Sequence, residues 1–195
     1  MRARLMPQSF ACLYYHVIFG TKTRAPLITE GVQPRLYDYI GGILRAESCA
    51  LIAAGGMPDH VHLLLSLDRQ VSMSEALRIV KTNSSRWVHE TYPGLSGFAW
   101  QVGYGAFSVS ASHLETVRGY LSRQAEHHRS VTFQEEFIAF LRRHGIEYDE
   151  RYLWDRWLRK PLSPLRGSGE LGCSASLFQG LAPLAMDRRP YGAKR

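Results

Sequence analysis

The sequence predicts an α+β fold, with an antiparallel sheet built from the succession strand, helix, strand, strand, helix, strand and both helices on one face. Three observations carry this expectation. Short segments rich in β-branched and aromatic residues alternate with two long segments of helical periodicity. The second and third strands are joined only by a tight Gly/Pro/Asp turn, which fits an antiparallel pair. The chain has 195 residues, 45% hydrophobic and 11% aromatic, enough for one domain with a substantial core plus an extension.

Each element has its own justification. "FACLYYHVIFG", residues 10–20, has the composition of a first strand. "TEGVQPRLYDYIGGILRAES" places Val32, Leu36, Tyr39, Ile40, Ile43 and Leu44 at helical spacing, with Thr29 as a candidate cap. "CALIAAGG" and "HVHLLLSL" read as the second and third strands. "SMSEALRIVKTNSSRWVHET" begins with Ser72 or Ser74 as a cap and carries Leu77, Val80, Ser84, Trp87 and Val88 on its apolar side. "FAWQVGYGAFSVS", residues 98–110, reads as a fourth strand bulged at its two internal glycines. The succession is the split βαβ, ferredoxin-like arrangement (βαββαβ), which leaves the second sheet face free for a ligand or partner. Two further helices follow: one over 112–128, and one over "TFQEEFIAFLRRHG" with Thr132 as N-cap and Gly145 as the stop. From residue 161 to 195 the chain holds five Gly, four Pro and four Ser without periodicity. A domain over 1–160 and a flexible tail over 161–195 are expected.

Charge and cysteine usage narrow the class. A formal net charge of +7 and a pI of about 9.5 favour an acidic partner, nucleic acid first, or simply a basic surface. Cys12, Cys49 and Cys173 are far apart and odd in number, which points away from a disulfide framework or zinc ribbon and toward a reducing cytosol. No apolar run reaches the roughly 18 residues of a membrane span, and "TKTRAP" stands where a signal peptide needs a small-residue cleavage site. A cytoplasmic protein is expected.

The stretch "GGMPDHVHLLLSL", residues 55–67, places two imidazoles in an apolar strand. Alternation turns Val61, Leu63 and Leu65 toward one face and His60, His62 and Leu64 toward the other. Two imidazoles at i and i+2 can converge on a metal ion or a phosphate, or be ordinary polar decoration. On the helix expected over 112–128, Leu114, Val117, Leu121 and Ala125 form the buried stripe. Tyr120 and Gln124, at i and i+4, share a face on its border. Half-buried packing alone would also explain such a tyrosine.

Together, "MPDHVHLLLSL", "KTNSSRW", "FAWQVGYGAFSVSAS" and "YLSRQAEHHRSVTFQEEFIAFLRRHGIEYDERYLW" resemble the HUH-type single-tyrosine transposases, closest to the REP-associated tyrosine transposase branch. The resemblance spans roughly residues 10–155. It implies that His60 and His62 are metal ligands, that the carbonyl oxygen of Gln124 is the third, and that Tyr120 is the nucleophile. It further implies attack on a phosphodiester of single-stranded or hairpin-flanked DNA, a covalent 5′-phosphotyrosine and a free 3′ hydroxyl. The implied ion is Mg2+ or Mn2+, although the ligand chemistry alone also permits zinc. Insertion-sequence relatives share the site across a dimer, whereas the REP-associated branch includes self-contained monomers. A monomer-capable protein is expected here, with a homodimer as the alternative.

The polar side of the second helix offers Arg78, Lys81, Ser85 and Arg86 as phosphate contacts, or as an ordinary solvated face. Trp100 and Tyr104 suit either base stacking or packing. His127 and His128 read as solvated helix residues, or as proton carriers beside the Tyr-x-x-x-Gln element. Two other classes stay open: a non-cleaving hairpin DNA- or RNA-binding protein, and a small-molecule phosphoesterase. The aromatic RNP pattern and the second His-x-Ser/Thr element that RNA-binding and two-histidine phosphoesterase readings need are not found in the sequence.

Overall fold

The computed structural model describes residues 10–149 and Leu153. The expected tail, 161–195, and the domain end at residue 160 lie outside the described residues. Four strands, β1 (Tyr14–Gly20), β2 (Ala50–Met57), β3 (His60–Ser66) and β4 (Gly105–Val109), form one sheet in the order β2-β3-β1-β4. Every pairing is antiparallel. Helix α1 (Gln33–Ala46) connects β1 to β2, and α2 (Met73–Thr91) connects β3 to β4. This is the expected ferredoxin-like arrangement. Among the described residues, no helix is long and apolar enough to cross a membrane.

Side-chain alternation divides the sheet into two cores. Val17, Phe19, Val61, Leu63 and Leu65 pack with Leu36, Ile40 and Leu44 of α1 and Leu77, Val80 and Val88 of α2. On the opposite face Leu64 meets Val117 and Leu121, while Ile18 and Phe107 meet Phe133, Phe137, Phe140 and Leu141. The second face, expected from the sequence to be free, is therefore covered. It is roofed by α3 (Leu114–Ser122), α4 (Gln124–His127) and α5 (Phe133–Arg143). A strand covered on both sides has reason to be apolar throughout, which explains "VHLLL".

Several local expectations are met and several are corrected. Ser72 caps α2 by accepting from the Glu75 N–H, and Thr132 with Glu135 forms a full capping box on α5. Gly145 closes α5 at φ +63. Thr29 does not cap α1 through its side chain: the helix starts at Gln33 with Pro34 in its first turn, and Val32 is the N-cap residue. The fourth strand begins only at Gly105, because Trp100 instead makes an isolated bridge to Thr21 and donates Nε1–H to Ser84 Oγ at 2.9 Å.

The long helix expected over 112–128 is broken. Arg123 adopts φ −107, ψ 18, which ends α3 and starts α4 at Gln124. The break rotates the following turn. Ala125, expected in the buried stripe, is exposed, and Gln124 is 2% exposed. Gly55 sets the height of this segment. It is the cross-strand partner of His62, and a Cβ built on it collides with the Leu121 carbonyl at the end of α3. Overpacking here has no flexible side chain to yield. Gly55→Ala is expected to lower stability by about 1–3 kcal/mol in urea denaturation, and to shift the tyrosine helix away from the histidine pair.

Candidate active site

The β2–β3 turn and the first residues of β3 deliver the histidines. Asp59 Oδ1 accepts from His60 Nδ1–H at 2.8 Å, and Arg24 fixes the other carboxylate oxygen at 2.6 Å. His60 is thereby held with Nε2 facing inward, the orientation a carboxylate partner commonly imposes on a ligating imidazole. His62 is held in the same way from β1: its Nδ1 lies 3.0 Å from His16 Nε2, leaving its Nε2 inward. His60 is 1% exposed, His62 0% and His16 3%. Burial is the main cause that lowers the His60 pKa to about 4, so the ring is neutral and able to act as a ligand near pH 7.

From the opposite side α3, α4 and α5 close the cluster. Tyr120 donates its hydroxyl hydrogen to Glu136 Oε1. Glu136 Oε2 lies 3.3 Å from His62 Nε2 and 3.5 Å from His128 Nε2. His128 Nε2 in turn lies 3.0 Å from His60 Nε2, and His127 Nε2 lies 3.4 Å from Glu136 Oε1. One ligand atom from each of His60, His62, His128 and Glu136 falls within 4.8 Å of all the others. Burial raises the Tyr120 phenol well above its ordinary value, and the Glu136 charge adds to that. Burial also pushes the Glu136 carboxyl up, but His62, Tyr120 and His128 together hold it below the usual carboxylate range. The resting pair is therefore a neutral phenol and a carboxylate.

The cluster suits a cation. His62 Nε2 and Glu136 Oε2 are close to each other, yet neither completes an aligned hydrogen bond. Gln124 is buried beside them, its side chain turned toward Tyr120. Buried polar atoms are ordinarily satisfied, so a pocket of inward nitrogen and oxygen donors in this state has the chemistry of a divalent metal site.

The structure thus brings His60, His62 and Tyr120 into one centre, with Gln124 buried beside Tyr120. It adds residues that the sequence reading passed over or misplaced. His127 and His128, expected to be solvated, have side chains only 8% and 6% exposed. His16 was read only as part of a strand. Glu136 was read only as part of a helix, yet its phase gives it away: it shares the buried side of α5 with Phe133, Phe137 and Phe140, where a lone carboxylate is costly without partners.

The proposed phosphate contacts sit elsewhere. Arg78, Lys81 and Ser85 line one groove of about 440 Å³ together with Trp100, Gln101 and Tyr104. Arg86 is outside that lining and donates to Asn83 Oδ1 at 2.6 Å. Arg78 makes a forked pair with Glu75, an exposed arrangement that a phosphate can replace at little cost. The Lys81 ammonium donates to the carbonyls of Gln101, Val102 and Gly103, and burial lowers its pKa to about 8. Trp100 is packed in the core, whereas Tyr104 is 39% exposed.

Comparison with known proteins assigns the family. The profile described as "Transposase IS200 like" matches residues 9–124, more than half of the chain and inclusive of His60, His62, Tyr120 and Gln124. The chain belongs to the IS200-like transposase family. Members of this family cut and transfer DNA strands. Among similar proteins, the ISDra2 transposase TnpA of Deinococcus radiodurans is 30% identical over 117 residues, covering 57% of this chain and 84% of that protein. A solved transposase structure from the same organism superposes with a TM-score of 0.52 and 27% identity, over 63% of this chain and 98% of that one. A REP-associated tyrosine transposase bound to a REP hairpin gives a TM-score of 0.47 and 18% identity, over 67% of this chain and 76% of that one. In this IS200-like transposase the family match ends at Gln124, so His127, His128 and Glu136 lie beyond it.

Proposed function

We propose that the protein is a metal-dependent tyrosine transposase that cleaves and rejoins single-stranded, hairpin-flanked DNA through a covalent 5′-phosphotyrosine on Tyr120. One observation supports this reading above the others. Within a single chain, the Tyr120 hydroxyl is bonded to a carboxylate whose second oxygen lies 3.3 Å from His62 Nε2. His60 and His62 through Nε2, with the Gln124 carbonyl oxygen, are the residues that would hold Mg2+ or Mn2+. When bound, such an ion polarises the scissile phosphate and stabilises the charge that develops in the transition state.

The chain's own residues account for the rest. A buried phenol held by a carboxylate stays protonated until it reacts, so its proton leaves during attack, toward the Glu136 oxygen that already accepts its hydrogen bond. A Tyr120 Oη–P bond forms and the P–O3′ bond breaks. The 3′ oxygen departs with the electron pair and takes up a proton. In reverse, a 3′ hydroxyl attacks the phosphotyrosine, so rejoining needs no nucleotide triphosphate. Asp59 and His16 keep the two imidazoles aimed inward throughout. The groove containing Arg78, Lys81 and Ser85, with Arg86 outside it, carries the phosphate contacts.

The test is a 3′-labelled hairpin oligonucleotide with Mg2+ or Mn2+. The label is expected to transfer to the protein. EDTA is expected to abolish transfer and added ion to restore it; full transfer in EDTA overturns the metal assignment. Three basic contacts to a single strand correspond to about 20-fold weaker binding on a fourfold rise in salt. Equal binding to any duplex would identify nonspecific charge attraction instead.

A further inference from the structure

We propose that Glu136 is itself a ligand of the metal ion and joins that ion to the nucleophile. Its Oε2 joins His60 and His62 at the ion, while its Oε1 keeps the hydrogen bond from Tyr120. This inference rests on the metal-dependent reading above but names a residue that lies outside the matched family region.

Four observations carry it. The Glu136 carboxylate is 2% exposed, and its close polar partners among the described residues are the Tyr120 phenol and the imidazoles of His62, His127 and His128. None of these carries an obligatory positive charge. The Arg24 guanidinium acts on Glu136 electrostatically but is paired with Asp59, and a buried carboxylate with no counter-charge in contact is unfavourable. Oε2 and His62 Nε2 approach to 3.3 Å without an aligned hydrogen bond, as two donors to one cation do. The donor atoms of His60, His62, His128 and Glu136 all converge within 4.8 Å. Finally, the position is built: the Thr132–Glu135 capping box fixes the first turn of α5, and Phe133, Phe137 and Phe140 anchor it against Ile18 and Phe107. The first turn of a helix also favours a carboxylate.

Two imidazoles and a carboxylate form a harder, more strongly charged donor set than two imidazoles and an amide. Glu136 is therefore expected to contribute more to ion affinity than Gln124 does. It is also expected to report ion binding at Tyr120, because one carboxylate touches both.

The experiment measures Mn2+ binding to the full chain by electron paramagnetic resonance of the free ion, without DNA. Wild type, Glu136→Gln, Gln124→Ala and His62→Ala are compared. Loss of an outer-shell partner already weakens metal binding 10- to 100-fold, so Glu136→Gln is expected to weaken Mn2+ affinity by at least about tenfold. That loss should exceed the loss in Gln124→Ala. In wild type, Mn2+ is also expected to perturb the near-ultraviolet tyrosine absorbance, and the perturbation should vanish in Tyr120→Phe and in Glu136→Gln. Circular dichroism in EDTA verifies folding. If Glu136→Gln does not fold, Glu136→Asp serves, with an intermediate loss expected from its withdrawn carboxylate. Affinity in folded Glu136→Gln within twofold of wild type overturns the inference. So does affinity in Glu136→Asp within twofold of wild type where that variant has to serve, or a wild type that binds no Mn2+. Label transfer by a Glu136→Gln protein with unaltered Mn2+ affinity refutes only the Glu136 assignment. Mn2+ binding through Glu136 in a protein that never labels refutes only the transposase reading.

Discussion

Tyr120→Phe protein, incubated with single-stranded hairpin DNA and Mg2+ or Mn2+, forms no covalent adduct while still binding the hairpin. The substitution removes one oxygen. That oxygen is the only part of Tyr120 able to bond to phosphorus, and no binding contact to DNA is assigned to it. Loss of a nucleophile is expected to lower the rate by on the order of 10⁴-fold or more. The ring stays packed, since its contacts with His16, His62 and Phe140 do not involve the hydroxyl. Glu136 loses its phenolic donor, so stability is expected to fall by about 1–3 kcal/mol, which a urea titration reads. An adduct that persists in Tyr120→Phe makes another tyrosine the nucleophile, with Tyr148 the next described candidate.

His62→Ala is the second large effect. Cleavage is expected to disappear, because the ligand set does not survive the loss of an imidazole that is wholly buried and is held in register by His16. The same variant tests how the site is assembled. The Tyr120 and His62 ring centroids are 6.1 Å apart within the chain, and a monomer-capable protein with a self-contained site is the proposal that this variant tests. Mixing inactive His62→Ala with inactive Tyr120→Phe is then expected to restore nothing. If cleavage returns in the mixture, the tyrosine helix of one chain completes the histidine pair of another.

Much of the fold was legible in the sequence because each element obeys a local rule. The strand alternation of "HVHLLLSL" separates Val61, Leu63 and Leu65 from the histidines, and that separation is what the two cores show. The Thr132–Glu135 spacing marks the start of α5 before any tertiary contact is known. What sequence reading lost are consequences of packing between distant segments. The break at Arg123 is invisible to periodicity, because it accompanies the docking of the Leu121 carbonyl on Gly55, 66 positions earlier. Once the helix is assumed continuous, Ala125 falls inside, whereas His128, seven residues after Leu121, is in phase with the buried stripe even on a continuous helix and was legible as buried. The roof over the second sheet face was missed for the same reason: α5 was found, but not what it covers.

The candidate site divides along a similar line. His60, His62, Tyr120 and Gln124 carry a recognisable spacing. His16 and Glu136 have no fixed spacing to those residues and converge with them only in three dimensions. Both did leave a trace in the sequence. His16 is a polar residue directly before the buried apolar run Val17, Ile18 and Phe19, and Glu136 is a carboxylate in phase with three buried phenylalanines. Buried polar groups that break a pattern are where the chemistry is concentrated.

The most direct measurement is the mass of the peptide that carries the DNA. Wild-type protein is incubated with a hairpin oligonucleotide and Mn2+, digested with nuclease and protease, and its peptides are sequenced by mass spectrometry. A nucleotide remnant linked through its 5′ phosphate to Tyr120 is the expected result. A remnant on any other residue, or cleavage of the hairpin with no protein-linked nucleotide, would contradict it.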